Sequence, residues 1–297
     1  GTATAIYGPV TVAWVIEQVK EADSLDSNCA ERLGWFGMAR SAGYMLGPLL
    51  GAALLTVLEP EVVFVAIGLF SLFAFLPVLL LNNRRTPLKP SKSWILQFRD
   101  AMRSGFHTAE IWFAGLLEFV VYIGLYSAKA FLPLYALQHN IPVLWVGLFF
   151  TIQELIHIAA RPFGGRLSDS KGYLPVTAAG MILAALSLGL MPFATSSQPL
   201  LLLALGIGLA QALIFPSILA LYAQKIDSRH TGAGAGIIGS FKNAGKIAGP
   251  IIGGLIIHLH DFSWMLWIMA ALLAFWSLGL LLNHFSIKSF VIQWQSR

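Results

Sequence analysis

The sequence predicts an all-α polytopic membrane protein with nine transmembrane helices, and three observations support this fold class. Of its 297 residues, 57% are hydrophobic and 11% are charged, and the mean hydropathy is +0.74, whereas soluble proteins carry roughly 25% charged residues. Apolar runs of about 20 residues, the length that crosses a bilayer, recur along the chain. Lys and Arg residues concentrate in alternate gaps between these runs.

The apolar runs place the nine predicted spans in chain order. They cover residues 2–19, 34–58, 62–81, 111–137, 143–161, 174–194, 200–223, 235–257 and 262–282. Residues 82–110 follow the third span, and we expect them to form a cytoplasmic interdomain linker that is either solvated or carries a helix lying on the membrane surface.

The charges of the gaps set the expected orientation. Lys and Arg occur after the first, third, fifth and seventh spans and in the C-terminal tail, whereas the other gaps contain neither. The positive-inside rule therefore predicts that the linker and the C-terminus face the cytoplasm. The net charge of +5 is spread over these short gaps, so no nucleic-acid binding is expected. With Cys29 as the one cysteine, we expect no internal disulfide, no metal site and no cofactor.

An internal repeat relates residues 37–52, GMARSAGYMLGPLLGA, to residues 239–254, GSFKNAGKIAGPIIGG. In both copies a glycine recurs every fourth residue, which gives a helix a smooth stripe that another backbone can approach closely. A proline follows the middle glycine and is expected to bend the helix, which persists because lipid offers no other hydrogen-bond partners. The packing and bend positions are Gly43, Gly47, Pro48, Gly51, Gly245, Gly249, Pro250 and Gly253.

The repeat also predicts the domain organisation. Spans one to three correspond to spans seven to nine, whereas spans four to six have no counterpart upstream. We therefore expect residues 1–81 to be the last three helices of an N-terminal half-bundle, and residues 111–297 to be a six-helix C-terminal half-bundle with a short cytoplasmic tail. Since the sequence does not begin with Met, roughly 100 further residues are expected upstream, which would complete twelve helices.

Two motifs resemble those of the major facilitator superfamily. Residues 165–173, GRLSDSKGY, resemble the family's cytoplasmic loop Gly-x-Leu-small-Asp-basic-x-Gly-basic, from which Ser170 and Tyr173 depart. Residues 43–52 are similar to the glycine-proline signature that marks the fifth helix of proton-coupled exporters, with Ala52 in place of its last glycine. The resemblance implies that the nine spans are the family's fourth to twelfth helices, in its drug and small-solute proton antiporter branch.

The first motif implies a cytoplasmic gate loop. Asp169 can accept hydrogen bonds from the free amides at a helix N-terminus, and by the resemblance that helix is the second span near residues 34–37. Such a contact would hold the two halves together when the cytoplasmic side is closed. The gate residues implied are Gly165, Arg166, Asp169, Lys171 and Gly172.

Polar and ionisable residues inside the spans are the candidates for a proton and substrate pathway, because such residues are expensive in lipid. Two groups share a helix face by spacing, one beginning at Glu118 in the fourth span and one at Gln153 in the fifth. The candidates are Arg40, Glu118, Tyr122, Tyr126, Lys129, Gln153, Glu154, His157, Gln211, Lys242, Asn243 and Lys246. Structural ion pairs between helices are the alternative interpretation for any one of them.

Glu154 is the first candidate for the proton-linked site and Glu118 the second. Glu154 lies near the middle of its span, where a carboxylate must take up a proton or pair with a cation, for which Lys246 or Lys242 is available. His157 either relays protons or makes a polar helix contact. Arg161, before Pro162 at the predicted cytoplasmic rim, is expected to belong to the gate.

These features predict a secondary active transporter that exports small organic molecules by alternating access, coupled to protons. An uptake symporter on the same fold and a non-transporting membrane sensor are the alternatives. No arrangement of nucleophiles, phosphate loop or paired catalytic carboxylates indicates an enzyme. The expected partners are a small-molecule substrate, protons and the lipid bilayer of a bacterial inner membrane, and we expect a monomer.

Overall fold

The computed structural model describes residues 29–73, 109–223 and 231–295, and these ranges are helical apart from short connections. A short 3-10 turn, Met191–Phe193, follows the helix Tyr173–Leu190. The helices are α1 Cys29–Leu55, α2 Pro60–Phe73, α3 Ala109–Gln138, α4 Val143–Lys171, α5 Tyr173–Leu190, α6 Ser197–Ala223, α7 Thr231–Leu259 and α8 Phe262–Gln295.

The predicted class, an all-α polytopic membrane protein, is confirmed over these ranges. Five helical segments are long and apolar enough to cross a bilayer, namely Ile111–Gln138, Val143–Lys171, Tyr173–Phe193, Ser197–Leu221 and Phe262–Leu282. Helices α1 and α2 contain shorter apolar segments, Ser41–Leu55 and Pro60–Phe73. The predicted first span and most of the linker at 82–110 lie outside the described residues, so the number nine stays a prediction.

The chain divides into two compact units, Gly1–Gly47 and Pro48–Arg297, with the boundary inside α1. The described part of the first unit is the N-terminal portion of α1. In the second unit, α3 to α8 share one apolar core, whose fully buried side chains include Leu117, Met181, Ile214 and Leu266. The predicted domain boundaries at residues 81 and 111 stay predictions.

Helix pairing in this bundle does not follow chain order. α7 packs along α3, α3 also contacts α8, α8 packs along α5, α5 along α6, and α6 along α4. Helix α3 further contacts α4 and α6. The polar face of α3 therefore has α7 on one side and the α4 and α6 pair on the other.

The second copy of the glycine stripe forms the interface between α7 and α3, as the sequence predicts. A Cβ atom added to Gly245 would lie 2.6 Å from the carbonyl oxygen of Phe119, and one added to Gly249 would lie 2.7 Å from that of Ile123. Ser127 Oγ on α3 donates a hydrogen bond across the interface to Gly249 O, at 2.7 Å. Only a residue without a side chain allows backbones this close.

The first copy packs differently within the second unit. No described atom lies within 4 Å of a Cβ added to Gly51. The close approach is instead supplied by Gly147 of α4, where an added Cβ would lie 2.8 Å from Pro48 O and 2.5 Å from Ala52 Cβ. The packing roles of Gly43 and Gly47 stay predictions.

Helix α4 is longer than its predicted span, which is a correction to the predicted gate loop. The helix continues from Val143 through Pro162 to Lys171, so Gly165, Arg166, Asp169 and Lys171 are helical and the turn falls at Gly172, with φ 95°. Packing against α6 stabilises these last turns. Ser168 Oγ donates to Gly164 O at 2.7 Å and lies 2.6 Å from Ser217 Oγ, with both serines buried.

Candidate functional site

The polar face predicted on α3 is present. Glu118 and Tyr122 are buried, Tyr126 is half-buried, and Lys129 is exposed at the end of the series. Their spacings of four, four and three residues keep them on one side of the helix. The shared face of α3 is therefore as the sequence predicts, and the role of these residues in a pathway stays a prediction.

Lysine side chains converge on the aromatic rings of this face. Lys242 Nζ of α7 lies 5.3 Å from the ring centroid of Tyr122, and Lys246 Nζ lies 5.2 Å from the centroids of both Tyr122 and Tyr126. Lys129 Nζ lies 5.6 Å from the Tyr126 centroid and 5.4 Å from that of Phe150 on α4. An ammonium within about 6 Å of a ring centroid is attracted by the ring's quadrupole. We call Tyr122, Tyr126, Lys129, Phe150, Lys242 and Lys246 the lysine-aromatic cluster.

Glu118 lies on the same face of α3 as the cluster, one helical turn before Tyr122. Its side chain is buried, and its Oε2 atom has no hydrogen-bond partner among the described residues. The charges of Lys242 and Lys246 act on it across the α3 and α7 interface. A buried carboxylate must be neutralised by a proton or by a cation. Glu118 therefore has both alternatives available.

Glu154 and His157 form a second ionisable pair, on α4. His157 Nδ1 lies 3.5 Å from Glu154 Oε1, which is too long for a good hydrogen bond. Neither ring nitrogen of His157 has a hydrogen-bond partner in the described part of the chain. The ring packs edge-on against Phe215 of α6, at 5.5 Å between centroids.

The cations around Glu154 differ from those that the sequence predicts. Besides His157, the positive charges that act on it belong to Lys129 and Arg161, whereas Lys242 and Lys246 act on Glu118. The reason is that α7 packs along α3 and not along α4. Arg161, expected at the rim, lies within α4 because the helix continues beyond it.

Helices α4 and α6 are joined by a buried amide pair. Gln153 Nε2 donates a hydrogen bond to Gln211 Oε1 at 2.9 Å, and both side chains are buried. Phe215, one turn after Gln211, stacks on Tyr122 at 5.2 Å with an interplanar angle of 25°. A small cavity beside the amide pair is lined by residues that include Leu125, Lys129, Phe149, Phe150, Gln153 and Ile207.

Two aromatic contributors were missed by reasoning from the sequence. Phe150 and Phe215 carry no charge, and an apolar residue in an apolar span gives no signal by itself. Their spacing was the available clue, because Phe150 lies three residues before Gln153 and Phe215 four residues after Gln211, on the same helix faces.

Asn243, Arg40 and Asp169 complete the set of predicted residues. Asn243 is exposed on α7 beside Lys242, and the side chain of Arg40 lies outside the described residues. Asp169 is exposed, and its Oδ1 accepts a 3.3 Å hydrogen bond from the Tyr173 hydroxyl. Tyr173, which departs from the family pattern, thus contacts the acidic residue of the motif. In the ranges that the structure covers, no three His, Cys, Asp or Glu side chains are grouped as metal ligands would be.

Together these residues form a positively charged aromatic surface next to the buried carboxyl group of Glu118 and the partly exposed one of Glu154. Aromatic rings and ammonium groups can bind an organic solute through stacking and charge. Glu118 and the pair of Glu154 and His157 can each gain or lose a proton. The arrangement is suited to binding a solute and a proton without covalent chemistry.

The sequence is similar to those of a known protein family. The family model of the Major Facilitator Superfamily matches residues 1–152 and 114–288. The chain is 30% identical over 168 residues to Multidrug resistance protein MdtG of Proteus mirabilis, a match covering 55% of the chain and 41% of the relative. It is 32% identical over 151 residues to Multidrug resistance protein MdtG of Citrobacter koseri, covering 48% of the chain and 36% of the relative.

A third relative comes from a different bacterial group. The Uncharacterized MFS-type transporter YuxJ of Bacillus subtilis is 30% identical over 124 residues, covering 42% of the chain and 31% of the relative. The chain thus matches less than half of the length of these curated relatives.

Proposed function

The chain belongs to the Major Facilitator Superfamily, and from this premise we propose that the protein exports small organic molecules by alternating access, driven by protons. Membership of this family makes it a transporter and not an enzyme. The direction of transport is supported by the similarity to proteins named for multidrug resistance and by the resemblance of residues 43–52 to the exporter signature.

The observation that supports proton coupling is the position of Glu118. It is buried, its Oε2 atom lacks a hydrogen-bond partner among the described residues, and Lys242 and Lys246 act on it from the neighbouring helix. A proton and the lysine charges are alternative ways to neutralise it. We therefore rank Glu118 ahead of Glu154 as the proton-linked site, because Glu154 is less buried and has His157 beside it.

Coupling follows if the distance between Glu118 and the lysines changes when the cavity opens to one side. The carboxyl group then binds a proton with different affinity in the two states, and a substrate that contacts the lysines favours one of them. By linkage, protons and substrate then affect each other's binding through the same equilibrium.

The other parts of the proposal concern gating and location. We assign the segment Gly165 to Gly172 to a cytoplasmic gate in which Asp169 accepts hydrogen bonds from free amides at a helix N-terminus. We also propose a monomer in the bacterial inner membrane, with the linker and C-terminus in the cytoplasm, because Lys and Arg lie in those gaps.

Transport by the purified protein, expressed together with the upstream helices that the repeat predicts, tests this function in proteoliposomes. A proton gradient should drive efflux of a set of fluorescent drug-like solutes, and Glu118→Gln should abolish this efflux while preserving solute exchange without a gradient. Glu61→Gln, which alters an exposed carboxylate in the first turn of α2, is the matched control and should behave as wild type. Absence of gradient-driven efflux of every solute from wild-type protein would refute the proposed function.

A further inference from the structure

We propose that the substrates of the lysine-aromatic cluster are organic anions with an aromatic or otherwise apolar body. The inference depends on the proposed transport function and specifies its substrate class. The acidic group would bind to Lys129 and Lys242, with Lys246 adding its charge, while the apolar body would stack on the half-buried rings of Tyr126 and Phe150.

The balance of charge around the cluster is the first argument. Among the described residues, the positive side chains that act on or lie in the site are Lys129, Arg161, Lys242 and Lys246, and the negative ones are Glu118 and Glu154. Cations outnumber anions even with His157 neutral. A lipophilic cation would meet net repulsion. An anion would bring the site close to neutrality.

The geometry of the lysines is the second argument. Each ammonium lies 5.2 to 5.6 Å from an aromatic ring centroid. An ammonium has three N–H donors, and a contact with a ring face uses one side of the group. The remaining donors of Lys129 and Lys242 can bind an acidic group at the edge of the rings. Sulfonate, carboxylate and phosphonate groups share the required acceptor oxygens.

The arrangement of the rings is the third argument. Tyr122 stacks on Phe215 at 5.2 Å and lies 5.5 Å from Tyr126 at a tilt of 42°. Phe150 continues this apolar surface towards the small cavity lined by Leu125 and Ile207. Rings of this kind bind a flat apolar body by offset stacking. The lysines at their borders then restrict binding to bodies that carry a negative group.

Three probes that share one ring system test the inference. We would measure equilibrium binding of tritiated 2-naphthalenesulfonate, neutral 2-naphthalenesulfonamide and cationic 2-naphthyltrimethylammonium to the purified protein in detergent. The sulfonate remains ionised at every pH used. We expect it to bind at least about tenfold more tightly than the other two probes, as expected for a hydrogen bond to a charged group.

Variants connect the preference to the cluster. Lys242→Gln and Lys129→Gln should each weaken sulfonate binding by about tenfold or more, whereas Lys242→Arg, which keeps the charge and the ring contact, should retain it. Glu118→Gln should strengthen sulfonate binding, because it removes a negative charge that competes for the same lysines. The exposed position of Lys129 makes its variant a safe second test if Lys242→Gln folds poorly.

The outcomes separate this inference from the proposed function. Equal or tighter binding of the cation, or sulfonate binding unchanged in both lysine variants, would overturn the anion assignment, as would failure of the protein to bind any of the three probes. In each case gradient-driven efflux of the drug-like set would still decide whether the protein is an exporter.

Discussion

The side-chain amide of Gln153 donates a 2.9 Å hydrogen bond to the side-chain carbonyl of Gln211, joining α4 to α6 between two buried residues. Gln153 also lines the small cavity beside the lysine-aromatic cluster. The hydrogen bond therefore holds α4 and α6 together near Phe150 and Phe215, each of which lies about one turn from a member of the pair.

Replacing one member of this pair should destabilise the protein. Gln211→Leu leaves the Gln153 amide buried without its partner, and the expected cost is about 1–3 kcal/mol in the free energy of unfolding. Thermal unfolding in detergent measures this loss. The double variant Gln153→Leu with Gln211→Leu should recover part of the stability, because no polar group is left unpaired. A double variant whose losses simply add would show that the hydrogen bond contributes nothing.

The glycine stripe of α7 provides a second prediction. Gly249→Ala should lower stability by about 1–3 kcal/mol, because its new Cβ would lie 2.7 Å from the carbonyl oxygen of Ile123. Gly239→Ala on the same helix is the control, since no described atom lies within 4 Å of its added Cβ. Unfolding temperatures of the two variants should differ clearly. Similar values would mean that α3 and α7 can move apart at little cost.

The gate motif provides a third prediction. Asp169→Asn should slow solute turnover in proteoliposomes several-fold, because the amide binds helix N-terminal amides more weakly than a carboxylate does. The amount of protein in the membrane should not change. Tyr173→Phe, which removes the 3.3 Å hydrogen bond to Asp169 but keeps the charge, should have a smaller effect. Unchanged turnover in Asp169→Asn would exclude a gating role.

Glu154 provides the fourth prediction. Glu154→Gln removes the carboxylate beside His157 and should lower proton-driven flux while sparing exchange without a gradient. His157→Gln should have a similar effect if the two residues act as one proton site. Normal proton-driven flux in both variants would limit this pair to a structural role. Loss of the variants from the membrane would instead indicate an ion pair that stabilises the bundle.

The sequence predicted those features that depend on one helix alone. The α7 stripe was found because glycine acts through its missing side chain, and its spacing is visible without knowledge of the partner helix. The face from Glu118 to Lys129 was found for the same reason, since helical periodicity fixes it. The assignment of α3 as the helix that packs against the stripe required the structure.

Features that depend on pairing between helices were not predictable. Lys246 was expected near Glu154, whereas its charge acts on Glu118, because helix neighbours are set by packing and not by depth in the membrane. The end of α4 was also placed too early. Polar residues after Pro162 indicate the end of an apolar span, but a helix continues past that point when its backbone groups remain paired.

The continuity of α4 also has a mechanical consequence. Glu154 and Asp169 lie on one uninterrupted helix of 29 residues, about 22 Å apart at 1.5 Å per residue. Helix α4 thus connects an ionisable residue near its middle to the proposed gate motif near its C-terminal end. Because Gly164 and Ser168 also pack against α6, a tilt of α4 would carry α6 with it, and no loop lies between Glu154 and Asp169 to absorb the movement. If these residues act in coupling and gating as we propose, a change of charge at Glu154 would reach Asp169 through the helix itself.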